Sequence, residues 1–181
     1  MKIICINNNN NSDDISYHLR PDTALLRNNE TFFVPEFAEQ LVAECAMVYK
    51  INRIAKAIEP KFAQRCYTQI SMATIFTAKN LIQPNLPWEM ATSFDHSFAL
   101  SPLFIENLEA TDFAVNLNSE TVDTMKPKFD INRVIAHLSE FMTLKIGDLI
   151  ALPITGEMNV AIDDKIIATL ADTKLQEFDV K

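Results

Sequence analysis

The chain predicts an α+β fold rich in strands, on three observations. Strand-like runs outnumber helical ones; a single long segment carries clear helical periodicity; and strands and helices do not alternate as they do in doubly wound α/β folds. Met1 to Ile6 opens with an apolar run suited to a first strand, too short for a signal-peptide core. Asn7 to Asn11, followed by Ser12-Asp13-Asp14, has a turn-favouring composition and reads as a surface loop. The apolar, aromatic stretch Thr31 to Pro35 and the longer run Ala43 to Ile51 both suit strands. Glu59-Pro60 signals a helix start, since proline costs little where the backbone N–H lacks a partner, and that helix is expected to run to about Cys66. Tyr67 to Thr77, with its β-branched and aromatic residues, is a strand, and Leu86-Pro87-Trp88 opens a short helical stretch. The clearest helix is Ile131 to Met142. Asp130 is its N-cap, and Ile131, Val134, Ile135, Leu138, Phe141 and Met142 are expected on one inward face. Asp148 to Leu152, Lys165 to Ala171 and Leu175 to Val180 complete the chain as short strands joined by polar turns such as Asp163-Asp164.

Composition narrows the function. With 181 residues and 48% hydrophobic content, one domain spanning 1–181 buries a core without disulfide staples. A formal charge of -8 repels phosphate backbones, so nucleic acid is not an expected partner. Cys5, Cys45 and Cys66 form no Cys-x-x-Cys and are odd in number, which suits buried thiols and a cytoplasmic location. No apolar run reaches the roughly 18–20 residues of a spanning helix, so no membrane role is expected. The two glycines, Gly147 and Gly156, exclude both common glycine-rich phosphate loops, which need several close backbone approaches to the anion.

Four stretches, Pro21 to Leu26, Phe76 to Leu81, Leu86 to Glu89 with Phe94-Asp95 after it, and Thr143 to Asp148, together resemble the fumarylacetoacetate hydrolase family in order and spacing. The resemblance covers about residues 1–181, shortened after Ile6. It implies a mixed β-roll with a few short helices, a homodimer, and Mg, Mn or Ca held by three carboxylates for hydrolysis, isomerisation or decarboxylation of small oxo acids and diketones. A hard divalent cation wants about six oxygens, supplied jointly by carboxylates and a chelating substrate. It then acts as a Lewis acid on the developing enolate.

Residue by residue, the match departs from that pattern. Two ligands stand as Glu-x-Glu on one strand because positions i and i+2 share a face; here Glu44 matches the first and Ala46 stands at the second. Ile75 stands where the third carboxylate belongs, and Thr92 where the resemblance implies a lysine. Ile82 takes the glutamine position, although a one-residue slip brings in Gln83. The early histidine has no counterpart, His18 falling on an apolar strand position, and Leu152 to Thr155 replaces a Thr-Gly-Thr-Pro turn. Glu44 is therefore read as a vestigial metal ligand, with Thr92, Asp95 and Lys79 as pocket candidates. Asp95-His96 has the residue types of an acid/base pair, but adjacent residues seldom face each other. His137 reads as a surface or core residue of its helix, and Cys45 as a small hydrophobe on the opposite face from Glu44.

The resulting expectation is a divergent member with its metal-dependent activity lost or strongly impaired, retained as a binding or dimerisation protein. The alternative is a working hydrolase, isomerase or decarboxylase with a relocated site. A third reading is a metal-free pocket that holds a small oxo acid through Lys79 or Arg27.

Overall fold

The structure is a computed structural model and describes residues 1–7, 14–106 and 112–181. Its elements, in chain order, are β1 (Ile3–Ile6), β2 (Tyr17–Arg20), β3 (Leu25–Leu26), β4 (Leu41–Ile51), α1 (Pro60–Ala63), β5 (Tyr67–Ala78), α2 (Trp88–Thr92), β6 (Phe98–Leu100), β7 (Phe113–Leu117) and β8 (Glu120–Val122). Helix α3 (Ile131–Phe141) and strands β9 (Leu149–Pro153), β10 (Met158–Asn159), β11 (Lys165–Leu170) and β12 (Thr173–Asp179) follow. This is the strand-rich α+β architecture that the sequence predicts.

A mixed sheet runs β2-β1-β9-β4-β5-β6-β3, with β10 paired to β4, and a second, antiparallel sheet runs β12-β11-β7-β8. The large sheet is mixed because β1 lies parallel to β9 and β3 to β6, while its other pairs are antiparallel. The long hairpin of β4 and β5 forms its centre, and side chains alternate across it. Ala43, Cys45, Met47 and Tyr49 on β4, with Ile70, Met72 and Phe76 on β5, face the larger core. That core also takes Val115, Ile166, Ala168, Leu170, Leu175 and Phe178 from the second sheet and Val134, Ile135 and Leu138 from α3. Phe76 stacks on Phe32 with ring centroids 3.8 Å apart and meets Phe178 edge-on at 6.3 Å. The polar groups at this junction are paired: Thr74 donates to Gln176 Oε1 at 3.1 Å, and Gln176 Nε2 to the Ala99 carbonyl at 2.8 Å.

Asp130 caps α3 as expected, its Oδ1 accepting from the backbone N–H of Asn132 at 2.9 Å and Arg133 at 3.2 Å. Three expectations change. Thr31 to Pro35 forms no strand: Phe32 makes one parallel bridge to Val180, because its ring is drawn between sheets. The first helix ends at Ala63, after which the backbone tightens into i→i+3 bonds as far as Cys66. Phe141 is 64% exposed rather than inward, since α3 ends there and the ring lies at its outer edge against His137. Most of the asparagine run, residues 8–13 with Ser12 and Asp13, lies outside the described residues.

The turn into β9 depends on Gly147, whose φ of +90° disfavours other side chains. It brings Asp148 under Lys2 and Lys145. Burial would raise the Asp148 carboxyl, but hydrogen bonds from the backbone N–H groups of Lys145 and Lys2 and an ion pair with Lys2 outweigh it and hold the pKa below its ordinary value. This clasp ties β1 to β9.

Candidate functional site

The pairing registers decide which side chains meet on the second face of the large sheet. Ile3 pairs with Arg20 and Cys5 with His18 across β1 and β2; Cys5 pairs with Ala151 on β9; Ala46 pairs with Pro153 and with Ala73, and Glu44 with Ile75. Residues directly opposite across a ladder share a face. Arg20, His18, Cys5, Pro153, Glu44 and Ile75 therefore stand on one surface, opposite the large core. Part of this surface is closed by a small apolar cluster that includes Ala46, Val48, Ala73 and Phe98. The rest opens as a cavity of about 680 Å³, with Lys79, Glu157 and Trp88 joining those residues on its walls.

Arg20 is its floor, only 2% exposed. Its Nη1 donates to the carbonyl oxygens of Phe76 and Ser97, each at 2.9 Å, which fixes the guanidinium plane. Nε points to His18 Nε2 at 3.4 Å, while His18 Nδ1 lies 2.8 Å from Asn7 Oδ1. Because Asn7 Oδ1 only accepts, the proton sits on Nδ1 and Nε2 is the acceptor. Burial and then the Arg20 charge push the His18 pKa down from 6.5 to about 4, so the ring is neutral at pH 7.

Glu44 is half-buried. Burial first, and then the nearby Glu157 carboxylate, raise its pKa, while Lys79 and Arg20 pull it down without cancelling the shift. Lys79 itself is ion-paired to Glu157. The Cys5 thiol is pushed up to about 11 by burial, opposed by Arg20, and stays protonated, so it is no nucleophile at neutral pH.

Of the sequence-derived candidates, Glu44 and Lys79 stand on the cavity wall together. Thr92 is 1% exposed within α2, and its hydroxyl donates to the Trp88 carbonyl at 3.2 Å, the i−4 bond of a helical threonine. Asp95 and Arg27 are exposed, and neither lines the cavity; Asp95-His96 forms the turn before β6, with His96 at a φ of +64°. Ile82 and Gln83 lie beyond the wall, Gln83 donating to the Asn80 carbonyl at 2.9 Å. Cys45 faces the core, opposite Glu44 as expected, with its sulfur 3.6 Å from Thr74 Oγ1.

Arg20 and His18 are the residues that the sequence reasoning passed over. Their signal was the i, i+2 spacing in Tyr17-His18-Leu19-Arg20, which places both on one face of a strand.

The residues present do not fit a hard divalent cation. Such an ion needs about six oxygens and typically more than one carboxylate. Ala46 and Ile75 flank Glu44, the cavity's second carboxylate, Glu157, is ion-paired to Lys79, its third, Glu89, comes from α2, and Arg20 and Lys79 bring positive charge to the same cavity. Among the described residues no three His, Cys, Asp or Glu side chains are grouped to hold an ion.

Comparison with known proteins gives a consistent result. Residues 6–157 match the family model described as fumarylacetoacetate (FAA) hydrolase C-terminal. An uncharacterized protein of Methanocaldococcus jannaschii is 23% identical over 148 residues, 77% of this chain and 62% of its own length. Another, from Pyrococcus abyssi, is 25% identical over 147 residues, 74% of this chain and 64% of its own. The chain thus spans less than two thirds of the curated relatives it matches. Among solved structures, 5-carboxymethyl-2-hydroxymuconate delta-isomerase from Mycobacterium smegmatis superimposes with a TM-score of 0.89 at 19% identity, over 99% of this chain and 78% of that one. Fumarylpyruvate hydrolase from Pseudomonas aeruginosa, in complex with Mn2+ and pyruvate, gives 0.85 at 15% identity, over 99% and 89%. At these identities the likeness establishes the fold.

Proposed function

The chain belongs to the fumarylacetoacetate hydrolase family, and we propose that within it this protein has lost the metal-dependent chemistry and serves as a binding or dimerisation protein. The observation that carries the reading is Arg20. A buried guanidinium shares the cavity with Glu44, and Ile75 and Ala46 stand where the resemblance implies carboxylates. The Arg20 charge acts on Glu44 and offsets the attraction this one carboxylate offers a divalent ion, and Glu157 on the same wall is already ion-paired to Lys79. Removing an outer-shell partner alone commonly costs about 10- to 100-fold in metal affinity. Two missing ligands cost more.

Titration with Mn2+ in a calorimeter is expected to show no binding tighter than roughly 1 mM, about 4 kcal/mol. A low-micromolar dissociation constant overturns the reading, as does turnover of an acylpyruvate that Glu44→Ala abolishes. A homodimer in a cytoplasmic setting belongs to the same proposal. The cytoplasmic part is supported by three free, buried cysteines, which suit a reducing compartment. Light scattering at the mass of one 20.5 kDa chain overturns the dimer.

A further inference from the structure

Away from the cavity, residues 51–57 lie against residues 139–147. Backbone hydrogen bonds stitch the two segments: Ala57 donates to the Ser139 carbonyl at 2.8 Å, Ala55 and Leu144 exchange bonds at 3.0 and 2.9 Å, and Gly147 donates to the Ile51 carbonyl at 2.8 Å. Ala55 and Leu144 form an antiparallel bridge, and both are buried. Side chains alternate along extended chain, so the neighbours of that pair turn outward together, Ile54 opposite Lys145 and Lys56 opposite Thr143. All four are exposed. Phe141, at the end of α3, and Ile146, in the turn at Gly147, flank them in the chain. Ile54 is 62%, Phe141 64% and Ile146 68% exposed.

A large apolar side chain exposed singly needs no explanation, but three on one small surface do. The charge around them also differs from the rest of the molecule. Residues 51–57 hold no carboxylate and residues 139–147 hold Glu140 alone, although Asp and Glu outnumber Lys and Arg by 24 to 16 in the whole chain. The bordering Asp148 is buried and taken by Lys2. Arg53, Lys56 and Lys145 are exposed and, among the described residues, ion-pair with no carboxylate. Lys56 Nζ donates to the Glu140 carbonyl at 3.2 Å, which keeps it on this surface. At 0.15 M salt, charges beyond roughly 8 Å are largely screened, so an approaching surface meets these three cations rather than the net charge of -8.

We propose that this face rests on an anionic phospholipid surface, with Ile54, Phe141 and Ile146 dipping into the headgroup layer and Arg53, Lys56 and Lys145 against the lipid anions. A polypeptide partner needs a shaped counter-surface for side chains that stand this far into solvent, whereas a headgroup layer deforms around them. A second copy in twofold contact sets the same three cations against themselves. No helix among the described residues is long and apolar enough to cross a membrane, so the contact is peripheral. The expectation of no membrane role concerned spanning segments, and the inference is independent of how the cavity is read.

Co-sedimentation of the whole chain with vesicles tests it, comparing phosphatidylcholine alone with phosphatidylcholine containing about 30% phosphatidylserine. Partition into the anionic vesicles is expected to be at least about tenfold stronger, and to be lost as NaCl rises from about 0.05 to about 0.5 M. Ile54→Glu combined with Ile146→Glu is expected to weaken it at least about tenfold, and Lys145→Glu at least about fivefold. These side chains are exposed, so each variant is expected to unfold at the parent's temperature; should one not, the wild-type comparison of lipids and salt decides. No partition at roughly 2 mM anionic lipid overturns the proposal, as does equal partition into neutral vesicles or folded variants that bind like the parent. Polyglutamate that binds where vesicles do not makes the occupant an acidic polypeptide, and a dimer that Ile146→Glu turns into a monomer in light scattering makes it a second copy; either result overturns the proposal.

Discussion

The two faces of the β4–β5 hairpin share one backbone and one register, yet they do opposite things. Cys45, Met47 and Phe76 face a core in which each side chain meets another and the polar groups at its edge, Thr74 and Gln176, are paired. One residue along, Glu44 and Ile75 face a cavity where a guanidinium is buried and a carboxyl is pushed up by burial. A packed face is optimised for the folded state alone. A face that buries a guanidinium beside a carboxyl departs from local consistency, and natural sequences make such departures mainly at functional or strained places.

The largest effect that sharpens this contrast is expected on the core face. Phe76→Ala removes a ring stacked on Phe32 and touching Phe178, and should cost about 3–5 kcal/mol, read from urea unfolding. A loss below about 1 kcal/mol would mean that the two faces do not differ as described.

The next effect lies on the cavity face and depends on pH. The folded His18 pKa is depressed, so the unfolded chain binds the extra proton first. Stability is full above 6.5 and declines as the pH falls toward about 4, by a few kcal/mol at most because the ring is partly exposed. His18→Gln should flatten that limb of the stability–pH curve; an unchanged slope would show that burial and the Arg20 charge do not hold the ring neutral. The smallest effect belongs to Glu44→Gln. Since burial already disfavours the charged carboxylate, the neutral amide should change stability at pH 7 by less than about 1 kcal/mol in thermal unfolding. A much larger loss would make Glu44 a structural ion-pair partner of Arg20 or Lys79 and erase the difference between the faces.

Some of this was legible in the residues themselves. Strand runs in β4, β5 and β9, the Asp130 cap and the Glu44/Cys45 alternation follow from short-range periodicity and capping chemistry, which depend on neighbours a few residues away. The departures at Ala46 and Ile75 were equally plain, because a side chain that cannot ligate is visible by type. Thr92 was visible too, but not that its hydroxyl would be spent on the Trp88 carbonyl within α2.

What the sequence determined by itself is the fold class, the family pattern and Glu44 as the one carboxylate that matches the ligand pattern of the resemblance. The site's central residue was decided by tertiary structure. Arg20 becomes a buried, fixed cation only because β2 pairs with β1, β1 with β9 and β9 with β4, setting it on the same face as Glu44, 24 positions away in the chain, and close enough to Phe76 and Ser97 to be held. Phe32 and Phe141 show the same limit, one drawn out of a strand by a stacking partner and one left exposed by a helix end. Local periodicity selects the face of an element, whereas burial and charge coupling arise from contacts between distant segments, which no short window of sequence contains.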